Sequence, residues 1–294
     1  MFKINSDEIK IIITDIDGTL YPMDHKGLWR VNNQQNIDWV KKAIQNNIHF
    51  VMNTGNLPFF LKDMLIDISG EINDYNKYFI SCTGNLIYNF KTNESIVENY
   101  FDKELIIKIV DKIKKYKLVY FIASENGDVI YFSDRVFKEK LIQQDNSLNG
   151  RLHRKDLTQE ILNSFKYSPR ISMKNVLPQD KLEIIKIFEE EFKDEKINTT
   201  WWSDDGVHLT IGTTNKYNGI KHLLKIINSE NDTNLTLNNV IYFDDNENDL
   251  SVFKNLKYCI AVNDAILEIK ELAFDISCDS KDGAIGFYLE KILV

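Results

Sequence analysis

Proline and glycine are scarce in this chain, 4 and 12 among 294 residues, and cysteine occurs three times. With few turn-forming residues and no segment of biased composition, a flexible tether is excluded. Two domains, if present, are interleaved rather than strung in tandem. Cys82, Cys259 and Cys278 are odd in number and far apart, which excludes a disulfide framework and a Cys-x-x-Cys metal site. They fit reduced thiols in a cytosolic protein. No apolar run approaches the roughly 20 residues that span a bilayer. Met1 to Glu8 is charged and lacks the apolar segment of a signal peptide. Positive charge is in deficit: 36 Lys and Arg stand against 44 Asp and Glu, a formal net charge of −8. Such a chain is a poor generic partner for nucleic acid or anionic membrane. The expectation is a cytoplasmic protein with neither as a partner. At 43% hydrophobic and 27% charged residues, the chain reads as globular rather than disordered.

Short apolar runs share one form. Ile9 to Ile13 leads into Thr14-Asp15-Ile16-Asp17-Gly18-Thr19, and His49-Phe50-Val51-Met52 into Asn53-Thr54-Gly55-Asn56. Val240-Ile241-Tyr242-Phe243 leads into Asp244-Asp245-Asn246-Glu247-Asn248-Asp249, and Cys259-Ile260-Ala261-Val262 into Asn263-Asp264. Apolar strands without alternation are buried on both faces, as in a parallel sheet. Each run ends in small polar or acidic residues, where open α/β sheets bind ligands. The pattern predicts a Rossmann-like, doubly wound α/β sheet whose polar strand ends converge on one crevice.

Helices are expected between these runs: within Asn33 to Asn47, over Ile220, Leu223, Leu224 and Ile227, over Ala265 to Ala273 and over Ala284 to Leu293. The middle of the chain differs. Leu105, Ile109, Val110 and Ile113 mark a helix. Leu118 to Ala123 and Val129 to Phe132, joined through Asn126-Gly127, mark a hairpin. Pro178 opens a helix with Leu182, Ile185, Phe188 and Phe192 on one face, and Trp201-Trp202 and Val207 to Ile211 resemble strands. This is an α+β insertion. The expected division is 1–85 with 214–294 as the core and 86–213 as the insertion.

Asp15 and Asp17 point the same way in an extended segment. Two carboxylates together repel unless a cation or proton separates them. With the acids of 244–249 and no nearby His or Cys, the set suits Mg²⁺ rather than Zn²⁺. A carboxylate beside such a cation can act as a nucleophile toward phosphorus. Thr54 and Gly55 offer a hydroxyl and an open backbone N–H. Lys216, just before Asn218-Gly219, offers a point charge.

In this order the motifs resemble those of the haloacid dehalogenase-like phosphatases. They are Asp15-Ile16-Asp17-Gly18-Thr19-Leu20, Asn53-Thr54-Gly55-Asn56, Lys216, and Asp244-Asp245-Asn246-Glu247-Asn248-Asp249. The order and spacing are similar to the Cof-type branch, which carries an inserted α/β cap. The tail motifs Ala261-Val262-Asn263-Asp264-Ala265 and Asp282-Gly283-Ala284 match it as well. The resemblance implies a phosphatase of small phosphorylated metabolites, sugar phosphates above all, working through an aspartyl-phosphate. It makes Asp15 the nucleophile and Asp17 the acid and then the base. It assigns Mg²⁺ to Asp15, the Asp17 carbonyl, Asp245 and, through water, Asp249. It gives the phosphoryl oxygens to Thr54, Lys216, Asn248 and the amides of Ile16 and Gly55. The chain departs from the pattern at Asn56, where an arginine is usual, and at Asp244, where a glycine is usual. Thr83 and Asn85 replace a usual Asn and Ala. Two other readings stay open: phosphoryl transfer to an acceptor other than water, as in a phosphomutase, and a non-catalytic phosphometabolite sensor. Asp17 speaks against a bare phosphoacceptor, which needs no leaving-group acid.

Overall fold

The structure, a computed structural model, describes residues 2–23, 33–144 and 151–292. The chain divides into two compact units: Met1–Thr54, Lys62–Asn93 and Asn215–Val294 form one, Gly55–Leu61 and Glu94–Thr214 the other. Among the described residues no helix is long and apolar enough to cross a membrane.

The first unit is an α/β sheet. Its strands lie in the order Asp275–Ile276, Tyr258–Ala261, Val240–Asp244, Ile11–Thr14, His49–Asn53, Tyr78–Ser81, Leu86–Asn89. All pair in parallel except the last, which returns antiparallel to Tyr78–Ser81. The four apolar runs are thus four adjacent strands, and every residue of Ile11–Thr14, His49–Asn53, Val240–Asp244 and Tyr258–Ala261 is buried. Helices cover both faces. Tyr242 packs edge-on to Phe253 of the helix Leu250–Phe253, whereas its neighbour Phe243 packs against Tyr288 of the helix Ala284–Ile292. Alternate residues of one strand therefore serve two cores, which is why the run shows no polar alternation.

The helix Lys216–Asn231 places the lysine motif. Asn215 caps it, its side chain accepting from the Asn218 amide at 2.8 Å. Gly219 in its first turn meets the turn at Cys82–Gly84: a Cβ there would lie 2.7 Å from the Gly84 Cα and 2.9 Å from its carbonyl oxygen. The helix start reaches the sheet only because neither residue has a side chain. We expect Gly219→Ala to destabilise the protein by about 1–3 kcal/mol despite alanine's better helix propensity, because backbone must move to admit the methyl group. Chemical denaturation measures this, and an unchanged midpoint would refute the tight contact.

His49 starts its strand buried, with Tyr75 5.1 Å away ring to ring. Burial foremost, then the Lys77 ammonium, lowers its pKa to about 4. The unfolded imidazole titrates near 6.5, so between these values the unfolded chain holds more protons. The contribution of neutral His49 is whole above pH 6.5 and is lost as pH falls toward 4, about 3 kcal/mol in all. The difference between the pH–stability curves of wild type and His49→Phe isolates this contribution and should close across that window. Parallel curves would contradict it.

The second unit holds a sheet in the order Arg154–Asp156, Ile130–Phe132, Val119–Ala123, Ile171–Lys174, Gly206–Ile211, Ile197–Ser203. All pairs are antiparallel except the first. The expected hairpin is present, with Ile130 opposite Ala123. Lys103–Ile113 and Pro178–Lys186 contribute to the apolar cluster of this unit through Ile106, Ile109, Ile113 and Ile184.

The first unit runs on through Leu86–Asn89, which pairs with Tyr78–Ser81, and Gly55–Leu61 groups with the second. One expectation differs from the structure: the buried face of the Pro178 helix keeps Phe188 and Phe192 but runs through Ile184 and Ile187 rather than Leu182, which is 72% exposed. The helix passes into a π-helical segment at Ile187–Glu191, where the Phe192 amide reaches back to Ile187. That widening turns the apolar stripe away from a constant 3.6-residue period. Of the paired tryptophans, Trp201 packs against the cluster and Trp202 is exposed.

Candidate active site

The site lies at the carboxyl ends of three adjacent strands of the first unit. Asp15 follows Ile11–Thr14 and is buried, its amide bonded to the Phe243 carbonyl at 3.0 Å. Asp244 ends Val240–Asp244, and Asp249 closes the turn Glu247–Asp249 beyond it. The carboxylates of Asp15, Asp244 and Asp249 bring one oxygen each within 4.8 Å of one another. Lys216 sits among them, 1% exposed. Its Nζ donates to Asp15 Oδ1 at 2.7 Å and to Asp249, and stands 3.7 Å from Asp244 Oδ2.

Asp17 is half-buried in the turn after Asp15, where the Gly18 amide donates to the Tyr21 carbonyl at 3.0 Å. Gly18 has φ +88°, and a Cβ on it would lie 2.5 Å from Asp245 Oδ2. Thr19 Oγ1 donates to Asp245 Oδ1 at 2.9 Å. The loops carrying Asp15 and Asp245 are thus joined through a position that only glycine fits. Ile16 is buried, its carbonyl accepting from the Tyr21 amide. Thr54 follows the adjacent strand His49–Asn53 and is buried, its amide bonded to the Ile80 carbonyl at 3.0 Å. Asn53 Nδ2 donates to the Lys216 carbonyl at 3.3 Å, tying this strand end to the lysine helix. Asn248 stands exposed in the same turn as Asp249. Gly55 belongs with the second unit, where its carbonyl accepts from the Arg170 guanidinium.

The electrostatics are those of an under-neutralised acid cluster. Burial pushes the Asp15 carboxyl well above the carboxylate range; Lys216 opposes this, and Asp244, Asp17 and Asp245 reinforce it. Asp244 is pushed well up by burial and by Asp249, and Asp249 is raised mainly by burial. Asp245 is raised to about 7, again chiefly by burial, then by Asp244. Lys216 goes the other way from an ordinary buried lysine: burial lowers it, but Asp15, Asp249 and Asp244 outweigh burial and hold it as ammonium. Full ionisation of three carboxylates around one ammonium would leave two negative charges uncompensated, which is the repulsion that adds to burial in raising Asp15 and Asp244. A divalent cation relieves that deficit, and an all-oxygen donor set is the kind that hard Mg²⁺ takes.

Tyr242 escaped the sequence reading. It is fully buried, and its hydroxyl is hydrogen-bonded to Asp249 and lies 3.3 Å from Asp244 Oδ2. In sequence it is one aromatic residue in an apolar run. The available signal was its spacing of two from Asp244, which puts both on one face of the strand.

The family model for haloacid dehalogenase-like hydrolases matches residues 12–289, and the chain belongs to that family. A Mycoplasma genitalium protein assigned as a phosphatase is 21% identical over 296 residues, spanning 97% of this chain and 99% of its own. A haloacid dehalogenase-like hydrolase from Bacteroides thetaiotaomicron superimposes with a TM-score of 0.79 at 18% identity, over 97% of this chain and 100% of that one. A Thermotoga maritima structure does so with a TM-score of 0.75 at 17% identity, over 97% and 98%.

Proposed function

We propose that this chain is a Mg²⁺-dependent phosphatase of small phosphorylated metabolites, sugar phosphates foremost, that works in the cytoplasm. The observation that carries the reading is the Lys216 ammonium held between Asp15 and Asp249. A nucleophilic carboxylate must approach a phosphate of its own sign, and a fixed cation beside it offsets that repulsion. Asp15 attacks phosphorus, and the bond from phosphorus to the ester oxygen breaks. Asp17 gives that oxygen its proton, then takes one from the water that cleaves the phosphoaspartate. Thr54 Oγ1, Lys216, Asn248 and the amides of Ile16 and Gly55 hold the phosphoryl oxygens. Asp15, the Asp17 carbonyl, Asp245 and Asp249 would hold Mg²⁺, which supplies positive charge to the transferring group. The free thiols of Cys82, Cys259 and Cys278 suit a reducing compartment. The phosphatase name of the Mycoplasma genitalium relative points the same way.

The test is inorganic phosphate release from sugar phosphates, nucleotides and p-nitrophenyl phosphate, with Mg²⁺ and then with EDTA. Release that EDTA abolishes supports the reading, and the ranking of compounds identifies the leaving group. Phosphate moved to a second sugar without release would make the protein a phosphotransferase. No turnover of any compound would overturn the reading.

A further inference from the structure

Asp244 and Tyr242 form a buried unit that has no place in the phosphoryl chemistry above. Both are fully buried and share one face of the strand Val240–Asp244. Asp244 Oδ1 accepts from the amides of Asp245 at 2.5 Å and Asn246 at 2.9 Å. Its Oδ2 lies 3.3 Å from the Tyr242 hydroxyl and 3.7 Å from Lys216 Nζ. The Tyr242 hydroxyl in turn is hydrogen-bonded to Asp249 Oδ1, whose other oxygen accepts from Lys216. One Asp244 oxygen thus fastens the peptide units that carry Asp245, and the hydroxyl fastens Asp249. A glycine at 244 would have no oxygen to accept from those two amides.

We propose that Tyr242 and Asp244 are positioning residues: Asp244 fixes the turn that aims the Asp245 carboxylate at Gly18 and Thr19, and Tyr242 fixes Asp249 against Lys216. The acidic residue at 244 is then a structural brace of the cation site rather than one more ligand. This rests on the proposed Mg²⁺ site. Groups that orient metal ligands typically contribute 10- to 100-fold to metal affinity.

The experiment is calorimetric titration of the full chain with Mg²⁺ alone, without substrate, together with thermal unfolding in EDTA. Tyr242→Phe should weaken Mg²⁺ binding by about tenfold, since it removes only the hydroxyl. Asp244→Asn keeps an oxygen toward the two amides and should stay within about threefold of wild type, whereas Asp244→Gly should lose about tenfold or more. Asp244→Gly binding Mg²⁺ as tightly as wild type, at an unchanged unfolding midpoint, would overturn the proposal. So would an equal loss in Asp244→Asn and Asp244→Gly, which would mark Asp244 as a charge donor or ligand. If the wild-type protein binds no Mg²⁺, the metal reading of the site fails, and unfolding in EDTA still decides the brace. A double variant of Tyr242→Phe and Asp244→Gly no less stable than the weaker single variant supports one shared unit, and strictly additive losses of midpoint overturn it.

Discussion

Asp15→Asn should lower kcat/KM for phosphate release by at least about a thousandfold while leaving the fold intact. Asparagine keeps the shape of the side chain and removes the oxygen that attacks phosphorus. The stability expectation sharpens the test. Asp15 is a buried carboxylate whose ionised form is disfavoured by burial and by three neighbouring acids, with Lys216 alone supporting it. Removing one carboxylate from an over-acidic cluster relieves repulsion, and Lys216 keeps its bond to Asp249. The unfolding midpoint in EDTA should therefore hold or rise. Full activity in Asp15→Asn would refute the nucleophile. Collapse of the fold would refute the electrostatic picture, in which Asp15 is a functional burden rather than a structural support.

Lys216→Met should do the opposite to stability. Methionine preserves much of the apolar stem and removes the ammonium. Asp15, Asp244 and Asp249 are then left buried with no cation among them. Removing one partner of a buried ion pair destabilises by about 3–5 kcal/mol, because the remaining charge stays desolvated. Part of that loss should return on adding Mg²⁺, which supplies the missing positive charge, so the gain in midpoint from Mg²⁺ should be larger in the variant than in wild type. Turnover should fall by about a hundredfold or more even with Mg²⁺ saturating, because the fixed donor to the phosphoryl group is gone. Equal stability of Lys216→Met and wild type in EDTA would contradict the view that Lys216 neutralises the cluster.

The core of the fold and most of its site were legible because the same physics wrote both. Strands buried on two faces must be apolar throughout, so the runs ending at Thr14, Asn53, Asp244 and Ala261 stood out, and the polar residues that end them could only be strand ends. Asp15 and Asp249 come together because they follow two adjacent strand ends, and a capped helix, admitted by Gly84 and Gly219, brings Lys216 to them. Other features carried no local signature. Leu86–Asn89 pairs with the core sheet through a turn whose Cys82 and Thr83 take positive φ, a conformation that residue type does not announce. Leu182 fits a helical stripe, but a π-helical segment five residues later rotates which face is buried. Tyr242 is read from composition as core, and it is core; only its hydroxyl, meeting Asp249 across a turn, gives it a second role. Each of these departs locally from regular strand or helix spacing, and periodicity describes only the regular part.

The most direct measurement of the central claim is the covalent state of Asp15 during turnover. The protein would be mixed with Mg²⁺ and a substrate identified in the phosphate-release panel, quenched in acid, reduced with borohydride and digested for peptide mass spectrometry. A phosphoaspartate at position 15 is reduced to homoserine, and the account requires that conversion in the peptide carrying Asp15, only when substrate was present. Sustained phosphate release with Asp15 unmodified, or with the label on another residue, would contradict it.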